Sequence, residues 1–246
     1  MNLVVDCGNT TTKVAVFEKE ELLYSEHWRY PSIEKLDALF REYTLRQAIV
    51  CTVVKLEPAL VQHIKAHIPY VVLLNAQTPV PLQNGYKTPE SLGMDRLAVA
   101  VGAHYLQPNK PLLIIDLGTA ITYDFVSQDA VFLGGNIAPG TSMRLHSLHH
   151  YTQQLPDVPK QAAEQLLGND TTSAIVAGVM KGIEFEIDGY VAELRYQYPE
   201  LFVFLTGGDA FFFEKKLKSS IFVSPNLLLI GLNQILNYNA CLQKGL

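Results

Sequence analysis

Cysteine is scarce in this chain: three in 246 residues, at positions 7, 51 and 241, far apart and without a C-x-x-C spacing. That excludes a disulfide framework or a cysteine-built zinc site, and it fits a reducing compartment. Basic residues do not dominate either. Nineteen lysines and arginines stand against 24 aspartates and glutamates, for a net charge of −5, so neither nucleic acid nor an anionic membrane surface is expected as a partner. No apolar run approaches the roughly 18 residues that a membrane span needs. No basic stretch precedes the first apolar run, which Asp6 cuts short, so a signal peptide is not expected. Two nucleotide signatures are missing as well, G-x-x-x-x-G-K-[ST] and a strand-linked G-x-G-x-x-G. A soluble, cytoplasmic protein is the expectation.

What is present is globular in composition, 48% hydrophobic and 17% charged, with a length that suits one or two domains. Residues 2–30 read as three short strands: LVVDC, TKVAVFE and LLYSEHWRY. A helix pattern follows at about 33–47, AIVCTVV is a strand, a second helix spans about 57–67, and YVVLLN is a strand. The Pro-rich stretch 78–89 should be irregular, and SLGMDRLAVAVGAHYL reads as a helix. Three more strands are expected at 112–117, 120–127 and 130–138. A segment at 141–153 leads to a helix at about 160–167, then to a long helix from Thr171, capped by Asp170, to about Tyr198. LFVFLT is a strand, a helix lies near 210–218, a short strand near 221–223, and a last helix starts at about Asn226. Strands alternating with helices give an α/β layered fold.

Two stretches repeat each other. LVVDCGNTTTKVAVF and LIIDLGTAITYDFV share three apolar residues, Asp-x-Gly and a threonine-containing turn into a second strand. Asp6 aligns with Asp116, Gly8 with Gly118 and Thr12 with Thr122. Two copies of one β-hairpin, 110 residues apart, point to a duplication with a cleft between the halves, 1–108 and 109–246.

DCGNTTTK has the chemistry of a phosphate loop. A glycine just past a strand lets the backbone turn tightly, and successive N–H groups in such a turn form an anion-binding concavity. Thr10, Thr11 and Thr12 add hydroxyl donors, and Lys13 can neutralise a phosphate. The carboxylate of Asp6 repels a bare phosphate, so a functional Asp6 should hold Mg²⁺, directly or through water. The plainer alternative is a polar hairpin turn, with Cys7 a small residue at a strand end. In ESLGMDRLAVA, Arg96 suits a carboxylate held by two parallel bonds, and Asp95 can accept a proton from a hydroxyl. Against this stands a first-turn Asp favoured by the helix dipole beside a solvated Arg.

TGGDA at 206–210 and GGNIAPG at 134–140 could let a ligand approach the backbone, or simply end strands. HSLHH puts His146, His149 and His150 at i, i+3, i+4, a spacing that could hold a metal, although a solvated helix face explains it as well. Gly178 and Gly182 form G-x-x-x-G in a helix with charged neighbours. Close packing of soluble helices explains them better than a membrane contact.

Taken in order, DCGNTTTK, GMDR, DLGTAITYD, GGNIAPG, GNDTTSAI and TGGDA resemble the type III pantothenate kinases, of the acetate and sugar kinase/Hsp70/actin superfamily, nearly end to end. The resemblance implies two similar ribonuclease H-like (actin-like) domains with mixed sheets. It also implies phosphate transfer from ATP to the primary hydroxyl of pantothenate, the first step of coenzyme A synthesis. It assigns ATP phosphates to the loop Asp6, Cys7, Gly8, Asn9, Thr10, Thr11, Thr12 and Lys13, with Mg²⁺ at Asp6 and a further ATP contact at Thr119. Asp95 becomes the general base, and Gly93, Met94, Arg96, Tyr86 and Thr171 become substrate contacts. The family more often shows Asn-Thr preceded by a basic residue where this chain has Asn169-Asp170-Thr171. Asp116 takes a monovalent cation, K⁺ or NH₄⁺, and the family's homodimer completes the site across its interface. A kinase of the same superfamily for another hydroxy acid or a sugar is the nearest alternative, and a non-catalytic regulatory relative the next. Asp6, Lys13, Asp95 and Asp116 all being in place argues against the latter.

Overall fold

The computed structural model describes residues 1–54 and 57–245. The chain forms two compact units, one of Met1–Asn109, Val126–Leu133 and Asn226–Leu246, the other of Lys110–Phe125 and Gly134–Pro225.

In the first unit, β1 (Asn2–Cys7), β2 (Thr12–Glu18) and β3 (Glu21–Trp28) are followed by α1 (Ile33–Glu42), β4 (Gln47–Thr52), α2 (Pro58–His67), β5 (Tyr70–Leu73), the short β6 (Gln83–Asn84), a 3-10 turn at Pro89–Ser91 and α3 (Met94–Leu106). The sheet order is β3-β2-β1-β4-β5. The two hairpin pairings are antiparallel, while β1–β4 and β4–β5 are parallel, so the sheet is mixed.

Every residue of β1 is buried, because both faces of the sheet are covered. Side chains alternate along a strand. Leu3, Val5 and Cys7 therefore join the core with Leu36 and Leu39 of α1 and with Leu60 and Ile64 of α2. Asn2, Val4 and Asp6 point to the opposite face. There Asn2 donates hydrogen bonds of 2.8 Å to Asn233 and Asn237 of the last helix.

The second unit continues with β7 (Leu112–Leu117), β8 (Ala120–Val126), β9 (Val131–Pro139), α4 (Thr141–His150), α5 (Thr171–Gln197), β10 (Phe202–Thr206), α6 (Ala210–Glu214) and β11 (Phe222–Val223). Its strands run in the order β11-β10-β7-β8-β9, with β10 parallel to both β7 and β11. The start of β9 counts with the first unit, where Val131 and Phe132 pair with Gln83 and Asn84 of β6. Leu113, Ile115 and Leu117 of β7 pack against Ile175, Val179, Met180, Ile183 and Ile187 of α5. A capping box starts α5: Asp170 accepts from the Ser173 N–H, and the Ser173 hydroxyl accepts from the Asp170 N–H.

The last element, α7 (Leu227–Gln243), packs on α3 and on β1, β2 and β4. It follows the second unit in the chain but belongs to the first. The two helices approach closely at paired glycines. A Cβ on Gly231 would stand 1.8 Å from the Ala98 carbonyl oxygen, and one on Gly102 would stand 2.3 Å from that of Leu227.

The helix expected at 160–167 does not form; that stretch is irregular. Its few helix-forming residues would make about two turns, too short to persist without a buried face. Leu166 and Leu167 are exposed, so no face is supplied. Among the described residues no helix is long and apolar enough to cross a membrane.

Candidate active site

In the first unit the strand registers build a row of polar side chains. Asp6 lies opposite Lys13 on β2 and opposite Cys51 on β4. Residues directly opposite each other on neighbouring strands share a face, so Lys13, Asp6 and Cys51 line up near the end of β1. Asp6 is only 5% exposed. The Cys51 thiol is pushed well up by burial, then by the charges of Asp6 and Asp95 and by a hydrogen bond to Asp6. Both carboxylates act on one buried thiol, and α3, which carries Asp95, packs on β4, which carries Cys51. Burial also raises the Cys7 thiol.

The hairpin closes through the Gly8 N–H, which donates to the Thr11 carbonyl at 3.0 Å, so residues 8–11 make the turn. Asn9, Thr10 and Thr11 are exposed and Thr12 is buried.

Gly93 is the residue before α3, and Asp95 lies in its first turn. The Arg96 N–H donates to Asp95 Oδ1 at 2.9 Å, which ties the carboxylate to the helix N-terminus. A Cβ on Gly93 would stand 2.5 Å from that same oxygen, so glycine is what leaves room for it. Arg96 is buried, 7% exposed, and its guanidinium lies 5.9 Å from the centre of the Tyr86 ring. Tyr86 is positioned by an Asx turn, its N–H donating to Asn84 Oδ1 at 3.0 Å, and its ring is 6.3 Å from that of Phe132. Met94 is half-buried at the first position of α3.

In the second unit three glycine-bearing motifs meet at the hairpin of β7 and β8. Asp116 pairs with Thr206 in the parallel register of β7 and β10. Gly207, at φ +91°, has its missing Cβ 2.4 Å from Asp116 Oδ1 and 2.6 Å from the Leu117 backbone. Gly140 donates its N–H to the Thr119 carbonyl at 3.0 Å, and a Cβ there would stand 2.3 Å from the Gly118 oxygen. The Asp209 N–H reaches the Leu117 carbonyl at 3.1 Å. A side chain at 140 or 207 would fill this space. Gly208 is exposed, with open space where its Cβ would stand.

The two hairpins are not identical. The second closes from Gly118 N–H to Ala120 carbonyl at 3.1 Å, one residue tighter than the first, and β8 already begins at Ala120. Thr119 is exposed at its tip, and Thr171 is exposed at the start of α5.

A family model described as type III pantothenate kinase matches residues 2–193. The chain is 49% identical to the type III pantothenate kinase of Bacteroides fragilis over 240 residues, which is 97% of this chain and 98% of that one.

The chain belongs to the type III pantothenate kinase family.

Solved structures agree on the fold. A Campylobacter jejuni protein assigned to the Baf family of transcriptional activators is similar with a TM-score of 0.61, at 22% identity, over 97% of this chain and 98% of that one. A Sinorhizobium meliloti protein assigned as a 2-dehydro-3-deoxygalactonokinase is similar with a TM-score of 0.57, at 13% identity, over the whole of both chains. Mixed α/β architecture of the sugar kinase type is therefore the fold of this type III pantothenate kinase family member.

Two side chains at these sites gave no signal in the sequence. Cys51 looked like part of a buried strand, and only the register puts it beside Asp6. Arg144 of α4 donates to the Pro139 carbonyl at 2.7 Å and to Glu186 at 2.8 Å, and Glu186 also accepts from the Tyr123 hydroxyl at 2.7 Å. This anchors the end of GGNIAPG, next to Gly140. Burial and the Glu186 carboxylate push the Tyr123 phenol up, which keeps it a donor. The histidines of HSLHH are spread along a solvated face: all three are exposed, and His149 is engaged with the Leu155 carbonyl at 2.8 Å.

Proposed function

We propose that this chain transfers the γ-phosphoryl group of ATP to the primary hydroxyl of pantothenate, giving 4′-phosphopantothenate in the first step of coenzyme A synthesis in the cytoplasm. The observation that carries it is the Lys13–Asp6–Cys51 row together with Asp95 held in the first turn of α3, in a chain of this family. Phosphoryl transfer needs positioning and charge neutralisation more than covalent help.

On this reading the turn from Asp6 through Lys13 takes ATP phosphates, with the Lys13 ammonium and exposed backbone and hydroxyl donors facing them. Thr119 makes a further ATP contact, and the open backbone at Gly208 admits the adenosine. Asp95 accepts the proton of the attacking hydroxyl, a role worth on the order of 10²–10⁴-fold in rate. The Arg96 N–H already engages one of its oxygens, so the proton goes to the other. Arg96 grips the substrate carboxylate, with its guanidinium over Tyr86, and Gly93, Met94 and Thr171 line the acceptor.

The donor sets suit hard cations. Asp6 offers a carboxylate for Mg²⁺. Asp116 lies by backbone that glycines at 140 and 207 leave uncrowded, and it fits a monovalent ion, K⁺ or NH₄⁺. When bound, these ions supply neutralisation of the phosphate oxygens. A homodimer completing the acceptor site belongs to the same reading, and Gly178 and Gly182 of α5, with open space beside them, leave room for a second chain.

The test is coupled ADP release with pantothenate, glycerol, simple sugars and no acceptor, each with and without K⁺. ADP release with pantothenate alone, stimulated by K⁺, is expected. Faster turnover of glycerol or a sugar, or equal release without acceptor, overturns the substrate. Equal activity in sodium-only buffer overturns the role of Asp116.

A further inference from the structure

We propose that Asp37, His63 and His67 form a binding site for a borderline divalent cation of the Zn²⁺ type on the first unit. Asp37 belongs to α1, while His63 and His67 sit one turn apart on α2, at the i, i+4 spacing that places two imidazoles on one helix face. One carboxylate oxygen and one nitrogen from each ring all lie within 4.8 Å of one another, and among the described residues this is the group of three metal-ligating side chains that converges so closely.

The local hydrogen bonds prepare these groups for a metal. His63 Nε2 lies 2.6 Å from Asp37 Oδ1, where an N–H donates to the carboxylate. A cation bound by both groups takes the place of that hydrogen, which the neutral ring then carries on Nδ1, so binding needs no other reactant. His67 Nδ1 lies 2.9 Å from the His63 carbonyl oxygen. A carbonyl only accepts, so Nδ1 carries the hydrogen and Nε2 keeps the lone pair a metal requires. Anchoring one ring nitrogen on a backbone carbonyl is how metal-bound histidines are commonly oriented.

Phe40, one turn after Asp37, stacks on the His67 ring at 4.6 Å between centroids and 13° between planes, and lies 5.8 Å from His63. It walls one side of the cluster. The helices are held together by the core without any ion, since Leu36, Leu39, Leu60 and Ile64 share one apolar cluster. Metal binding therefore does not have to bring the ligands together.

Two nitrogens and one oxygen select against Mg²⁺ and Ca²⁺, which prefer all-oxygen sites, and favour zinc and its neighbours. Asp37 and His63 are half-buried and His67 is exposed, so a cation enters from solvent and completes its shell with water. The proposal does not depend on the kinase reading.

The experiment titrates tag-free, chelator-stripped full-length protein with Zn²⁺ against a chromophoric chelator, with Co²⁺ absorption as a report on coordination. One equivalent per chain is expected, unaffected by excess Mg²⁺ and weakened at least ~10-fold by His67→Gln and by Asp37→Asn. His67 is exposed, so His67→Gln should keep the melting temperature of the metal-free protein. The histidines of α4 are the competing site, and a His146→Ala/His149→Ala/His150→Ala variant should still bind its equivalent. Absence of stoichiometric binding, unchanged affinity in His67→Gln, or loss of binding in the α4 variant overturns the proposal.

Discussion

Asp95 is held at the N-terminus of α3 by the Arg96 N–H, and Gly93 leaves its carboxylate room. Two substitutions separate the charge from its placement. Asp95→Asn keeps the shape and removes the proposed proton acceptor, so kcat should fall ~10²–10⁴-fold while nucleotide affinity stays near wild type. Gly93→Ala keeps the acid but puts a methyl 2.5 Å from Oδ1, which must move; kcat should fall while the ATP affinity is again preserved. Steady-state kinetics with nucleotide titration check both, and an Asp95→Asn enzyme within a few-fold of wild type removes Asp95 from the role of base. The placement of Asp95 and Arg96 at the start of a helix and of Asp6 near the end of a strand was legible in the sequence because their motifs are local. Cys51 was not, because its place beside Asp6 is set by the β1–β4 register, which two segments 40 residues apart establish only on pairing.

Helix and strand identities were legible wherever periodicity ran long. The three N-terminal strands, the hairpin of β7 and β8 and the capped start of α5 follow the expected pattern. The stretch 160–167 broke it: helix-forming residues alone do not offset nucleation when their leucines face water. The α3–α7 crossing was invisible, since a lone glycine in a helix pattern does not announce a neighbour. At Gly231 two effects oppose each other. Alanine gains up to ~1 kcal/mol in helix propensity, but its methyl would stand 1.8 Å from the Ala98 oxygen, an overpacking cost of ~3 kcal/mol or more. The clash wins, so Gly231→Ala should lower stability in urea unfolding by ~2 kcal/mol or more. Gly178→Ala on α5, with nothing within 4 Å, is the matched control and should be neutral or stabilising within one chain. Equal stability of Gly231→Ala and wild type would mean that the helices can separate at that point.

At the scale of the whole chain, the first unit closes by joining the two ends of the sequence. Asn2 of β1 donates to Asn233 and Asn237 of α7, and Asn233 Nδ2 donates to the Lys19 carbonyl at 2.8 Å. Asn233 is 1% exposed, so Asn233→Ala leaves buried polar partners unmet and should cost ~1–3 kcal/mol. Chemical denaturation followed by circular dichroism measures that loss, and a variant as stable as wild type would show that the network relaxes without it. The sequence by itself determined the layered α/β class, the repeated hairpin and the family, because each of these is written in neighbouring residues whose spacing and chemistry act locally. Only the tertiary structure decided that the last helix returns to the first unit, that Cys51 stands opposite Asp6, and that glycines 140 and 207 seat against the second hairpin. Those are contacts between distant segments, and their geometry comes into being only when strands take a register and helices meet face to face.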